Sequence, residues 1–163
     1  MVYLLHMEKR QALLDYLRSR KLMTLATNGD DVWATTVFYT VDDDFNLYFL
    51  SEPKTQHVQD LHKNPSVACA IADTNQEAAK SKLGVQFKGV AEEVTGIDRL
   101  MPIMDMWHAV NPGLESVLSI DTIRGKVIDS VVYKLKPQYD KFFNEDLYGK
   151  EGYETFQFGE GAQ

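Results

Sequence analysis

The loop Ser51-Glu52-Pro53-Lys54-Thr55-Gln56-His57 gathers two hydroxyls, a lysine and an imidazole just ahead of an apparent helix. Backbone N–H groups at a helix start lack intrahelical partners, and an anion placed there can also bond hydroxyl and ring N–H groups in the same turn. These residues form a candidate phosphate seat, in which Lys54 brings charge, Thr55 a hydroxyl and a helix cap, and His57 a ring N–H. A polar surface loop ending in an ordinary cap would use the same residue types. A second segment, Gly84-Val85-Gln86-Phe87-Lys88-Gly89-Val90, alternates as a strand does and holds the Gln86 amide out from the backbone, toward a ligand or toward water.

The other reactive residue types point away from metal or nucleophilic chemistry. His6, His57, His62 and His108 have no metal-ligand spacing, and Cys69 is the single cysteine, so no metal site is expected. Cys69 lies in Val-Ala-Cys-Ala-Ile, which reads as a buried strand and makes it a structural thiol. No Ser-His-Asp arrangement is evident in the linear sequence.

The elements that position these residues follow from periodicity and turn signals. Leu4 to Leu17 has helical spacing, with Leu13, Leu14 and Leu17 on one stripe and Arg10, Arg18 and Arg20 toward solvent. Strands follow at Leu22 to Thr27, Val32 to Val41 and Phe45 to Leu50, joined by turns at Asn28 to Asp31 and Asp42 to Asp44. Connections this short require an antiparallel meander. A helix from Thr55 to His62 stops before Asn64-Pro65, and strands are expected at Val67 to Ala72, Leu83 to Val94 and Ile128 to Leu135. A helix spans Ile97 to Val110, while Leu114 to Lys126 supports no single assignment. The fold class is mainly β with flanking helices, and a small closed barrel is the natural solution because closure removes exposed strand edges.

Composition bounds the function. A chain of 163 residues with 44% hydrophobic content fits a single domain over residues 1–163. A net charge of −7 with no basic block disfavours nucleic acid as a partner. The run Val2 to Leu5 is too short for a signal peptide and no segment is long and apolar enough to cross a bilayer, so a cytoplasmic location is expected. Met101, Met104, Met106 and Trp107 form an apolar helix surface suited to core or interface packing. Phe142, Phe143, Tyr148, Tyr153, Phe156 and Phe158 make the C-terminal part too aromatic for a disordered tail, so it is expected to pack on the body.

From Leu22 to Val94 the chain resembles the pyridoxamine 5′-phosphate oxidase-like superfamily of FMN-binding split β-barrels, an antiparallel fold. The motifs K-T-x-H (Lys54 to His57) and G-V-Q-F-K-G (Gly84 to Gly89) resemble most closely a small group of uncharacterised members. The resemblance implies that Thr55 supplies the hydroxyl for the FMN phosphate. Gln56 and His57 stand where members usually carry Arg and Lys, with Lys54 as a compensating charge. It further implies that the flavin ring lies along the second strand, over Thr35, Thr36, Val37 and Phe38 as far as Thr40, with Ser51 at the end of the third strand. Gln86 would be near the ring, two positions after the usual glutamine, where this chain has Gly84. A homodimer with the flavin site near the subunit interface, and oxidoreductase or reductase activity on an unidentified small molecule, are implied in the same way. Pyridoxamine phosphate oxidation itself is not expected, because the last arginine is Arg124 and the C-terminal arginine-rich substrate motif is missing. Deazaflavin or haem in the same barrel, and a non-catalytic flavin-binding or dimeric interaction protein, are the competing readings.

Overall fold

A computed structural model describes residues 2–116, 118–124 and 130–158. Helix α1 (Val2–Ser19) buries Leu13, Leu14 and Leu17, the stripe expected from their spacing. All three of the arginines expected in solvent are engaged, Arg18 with Asp43 while staying partly exposed. The Arg10 guanidinium lies 4.7 Å from the Phe45 ring centre and 5.0 Å from that of Phe158, and Arg20 bonds Asp73 at 2.6 Å. An apolar stem with a delocalised cation can cover aromatic surface in this way.

Strands β1 (Leu22–Asn28), β2 (Val32–Val41) and β3 (Leu47–Ser51) form the expected antiparallel meander. The third strand starts later than the sequence suggests. The Asp42 carboxylate accepts from the Asp44 and Asn46 backbone N–H groups and the Asn46 amide, and this prolongs the turn through Phe45. Phe45 takes a left-handed φ of 66° and drops its ring into the core. Helix α2 (Gln56–Lys63) follows, then β4 (Ser66–Ala72) and β5 (Leu83–Glu93). Helix α3 (Ile97–Val110) matches its expected bounds, and the unassigned stretch beyond it contains α4 (Ile120–Arg124).

The last expected strand, Ile128 to Leu135, is longer: β6 runs Val131–Asn144, and Ile128 lies outside the described residues. Pro137 does not stop it because it faces Gly89 at a register shift after Lys88. The two chains come so close there that a Cβ on Gly89 would stand 2.2 Å from the Lys136 carbonyl oxygen. Helix α5 (Glu145–Tyr148), a 3₁₀ turn (Gly149–Glu151) and β7 (Tyr153–Gln157) complete the chain.

The strand order is β3-β2-β1-β4-β5-β6-β7, and additional pairing of β3 with β6 closes the first six strands into an antiparallel barrel. One edge of β6 is shared, with β3 on its first half and β7 on its second. The core lies between α1 and the barrel interior, and a second cluster beneath α3 joins Met104 and Trp107 to Tyr48, Val94, Leu118 and Val132. Met101 stays exposed, so the methionine-rich surface is divided between core and solvent. The C-terminal aromatics pack as expected, with Phe142 and Phe156 buried and Phe158 5.1 Å from Phe45.

Asp140 is the unusual interior residue. It sits between Phe87 and Phe156 in the ladder, is 1% exposed, and has no partner for Oδ1 among the described residues. Burial pushes its pKa up to about 8, against the opposing Arg10 charge. The folded protein therefore holds this proton where the unfolded chain does not, so its contribution to stability falls as pH rises from about 4 through 8. Urea unfolding should show Asp140→Asn more stable than the parent at pH 9 by at least about 1 kcal/mol, with the gap closing toward pH 4.

Candidate functional site

Helix α2 is amphipathic and short, and it turns His57, Val58, Asp60 and Leu61 inward. Val58 and Leu61 join the core, while Asp60 has no exposed surface and accepts from Thr27 Oγ1 of β1 at 2.8 Å. Gln56, one turn earlier, donates its amide to the other Asp60 oxygen at 2.7 Å. The first turn of α2 is thereby fixed at the end of the barrel where β3 arrives.

The structure brings three of the expected site residues together there. Ser51 Oγ lies 2.5 Å from His57 Nε2, and Thr55 Oγ1 lies 3.3 Å from both. Thr55 occupies the N-cap position with extended backbone angles, yet its hydroxyl donates to the Glu52 carbonyl at 2.8 Å and no side chain caps the helix. The expected capping role of the Thr55 side chain is thus replaced by a bond back into the loop. Among the described residues no side-chain cap therefore meets the first-turn amides, which lack intrahelical partners. Lys54 is 79% exposed and bonds Glu52 at 2.9 Å.

His57 is buried, and desolvation lowers its pKa although the Asp60 charge works in the opposite direction. The ring is neutral at pH 7, able to donate from one nitrogen and accept at the other. The second-strand candidates divide between two faces. Val37 joins the core, Thr35 is half-buried, and Thr36 and Phe38 are exposed on the outer face. Gln86 is exposed on β5, separated from β2 by β1 and β4, so one chain does not set it beside the α2 cluster.

Sequence reasoning missed Thr27 and Asp60, the buried pair that holds α2. The one available signal was Gln56 and Asp60 at helical i, i+4 spacing. No group of three or more His, Cys, Asp or Glu among the described residues could hold a metal ion. Cys69 is buried and its thiol is pushed up by desolvation, in keeping with a structural role. Among the described residues no helix is long and apolar enough to cross a membrane.

The lowered His57 pKa has a measurable effect. Its contribution to stability is complete above the unfolded value of about 6.5 and is lost as pH falls below it. Urea titrations should show the parent losing more stability than His57→Gln as pH falls from 7.5 to 5.5.

Comparison with known proteins agrees with this architecture. A UPF0306 protein of Photorhabdus laumondii is 36% identical over 91 residues, which are 55% of this chain and 63% of that protein. The chain thus matches less than two thirds of that curated relative's length. Among solved structures, the conserved hypothetical protein Rv2991 of Mycobacterium tuberculosis superposes with a TM-score of 0.69 at 20% identity, covering 85% of this chain and 86% of that one. HutZ, a heme storage protein of Vibrio cholerae, superposes with a TM-score of 0.62 at 17% identity, covering 78% and 89%. Identities this low speak for the fold alone. The family model described as pyridoxamine 5′-phosphate oxidase matches residues 10–120, which include β1 to β5, α2 and α3, and the chain belongs to this split-barrel superfamily.

Proposed function

We propose that this protein binds FMN and acts as a flavin-dependent oxidoreductase or reductase on a small organic molecule. The observation that carries this reading is the Ser51, Thr55 and His57 cluster beside an uncapped first turn of α2. The Ser51 hydroxyl, a neutral imidazole and the helix-start amides suit a phosphate ester, whose oxygens accept from several donors at once, and the Thr55 hydroxyl joins them by turning away from the Glu52 carbonyl. The FMN phosphate fits these residues, and Lys54 at the rim adds the permanent charge that neither Gln56 nor neutral His57 supplies. Gln56 acts through Asp60, as a positioning residue for the helix start.

The flavin ring would run along β2, meeting the side chains of Thr36 and Phe38 and the backbone at Thr35 and Val37. Gln86 reaches that ring only from a second copy, because β1 and β4 intervene within one chain. A homodimer is therefore part of the reading. Leu22 and Phe38, register partners that are 47% and 56% exposed, provide an apolar surface for it. Bound FMN supplies the two-electron chemistry, and the chain binds and orients it without a nucleophile of its own. Haem is the competing reading, for which His108 is already engaged with the Leu118 carbonyl. The K-T-x-H and G-V-Q-F-K-G motifs belong, in this reading, to a subgroup that keeps the FMN site while replacing the usual phosphate cations. A cytoplasmic location suits such a reductase.

Titration of flavin-free protein with FMN and riboflavin, followed by flavin fluorescence, tests the site. FMN should bind more tightly than riboflavin, and Ser51→Ala with Thr55→Val should weaken FMN at least about tenfold, since hydrogen bonds to a charged group contribute about 1.5–3 kcal/mol each. Riboflavin should bind the variant as it binds the parent. Equal binding of both flavins by the parent would remove the phosphate seat. Anaerobic reduction by a panel of donors, compared with free FMN, separates an enzyme from a carrier: saturable turnover supports the former, and its absence from a fully loaded protein supports the latter.

A further inference from the structure

A pocket of about 620 Å³ opens on the outer face of β3, β5 and β6, beside helix α3. Register builds its floor. Tyr48 of β3, Lys134 of β6 and Glu92 of β5 stand in one cross-strand row, and Lys136 follows Lys134 on the same face. Arg99, Ile103 and Met106 repeat at helical spacing, so one face of α3 forms the wall. None of the residues used by the flavin reading lines this pocket.

The charged side chains here are not equally available. Asp42 is spent within its own turn: the carboxylate accepts from the Asp44 and Asn46 backbone N–H groups, the Asn46 amide and, at 2.9 Å, the Tyr48 hydroxyl. Glu92 is taken by Lys136 at 2.7 Å. Arg99, Lys134 and Glu93 are left with no ion pair among the described residues. Lys134 is half-buried, and its Nζ is held 5.8 Å from the Tyr48 ring centre. A ring face positions an ammonium without cancelling its charge. The unpaired groups are thus two cations against one exposed acid, in a chain whose net charge is −7. An arginine fork binds a carboxylate through two parallel N–H bonds, and a lysine adds charge from a second direction. Ile103 and Met106 make the neighbouring wall apolar, which suits a short hydrocarbon chain.

We infer that this pocket binds a small aliphatic carboxylate, its acid group held by Arg99 and Lys134 and its chain laid on Ile103 and Met106. It is a second binding site, independent of whether FMN occupies the first turn of α2.

Isocaproate, the neutral isohexanol and leucine are matched probes, because they share a branched carbon chain and differ in their acid and ammonium groups. Calorimetric titration of the full chain at low ionic strength should give saturable binding of isocaproate, with isohexanol and leucine each weaker by at least about fivefold. Arg99→Gln with Lys134→Gln should weaken isocaproate roughly five- to tenfold while changing isohexanol less than about twofold. If the double variant misfolds, Arg99→Gln alone decides, because that side chain is exposed on α3; it should weaken isocaproate at least about threefold. Ser51→Ala with Thr55→Val should leave isocaproate binding unchanged, and the Arg99 and Lys134 variant should bind FMN as the parent does, so the two sites fail separately. No saturable binding of isocaproate by the parent overturns the inference, and so does undiminished affinity in the arginine and lysine variants. Leucine binding as tightly as isocaproate, or more so, also overturns it, since the pocket would then take a zwitterion through Glu93.

Discussion

Asp60 has no exposed surface, and its two carboxylate oxygens are taken by Thr27 of β1 and Gln56 of α2. A carboxylate in that position is costly unless its hydrogen bonds are made, which leaves α2 little freedom to slide or rotate. The β1–β2 turn closes over the same group so tightly that a Cβ on Gly29 would stand 2.3 Å from Oδ1. Lys63 at the far end of α2 pairs with Asp30 of that turn. A helix of eight residues has little stability of its own, so its position comes from these tertiary contacts and from Val58 and Leu61 in the core. With α2 fixed, His57 meets Ser51 at the end of β3, and the candidate phosphate seat exists as a consequence.

The seat differs in kind from one built on permanent cations. Ser51, Thr55 and His57 are neutral donors and acceptors, and the desolvation that lowers the His57 pKa keeps the ring uncharged. Directional hydrogen bonds and helix amides, with Lys54 at the rim, replace a strong local field.

Much of the framework was legible because short-range signals act in concert. The turns at Asn28 to Asp31 and Asp42 to Asp44 are rich in Asn, Asp and Gly, and Ile97 to Val110 has clear helical periodicity. The failures arose where side-chain bonds or residues distant in sequence decided the outcome. Pro137 reads as a strand terminator until Gly89, far away in sequence, is placed opposite it. Phe45 looks like a strand residue because the Asp42 side-chain bonds that hold it in the turn leave little trace in local propensity. The hydroxyl–imidazole cluster was legible as residue types near a helix start, but not its closure, since Ser51 could meet His57 only after Asp60 had set the helix. The division of Thr35 to Phe38 between two faces follows from strand alternation, whereas the separation of Gln86 from β2 depends on strand order.

In the proposed function the first turn of α2, with Ser51, Thr55 and His57, receives the phosphate of the cofactor. Nuclear magnetic resonance of ¹⁵N-labelled protein reads those groups individually. On addition of FMN, the backbone amides of residues 55–58 and the His57 ring nitrogens should shift, while riboflavin at equal occupancy leaves them nearly unchanged. Identical shifts from both flavins, or FMN shifts confined to the outer sheet around Lys88 and Lys141, would contradict the account.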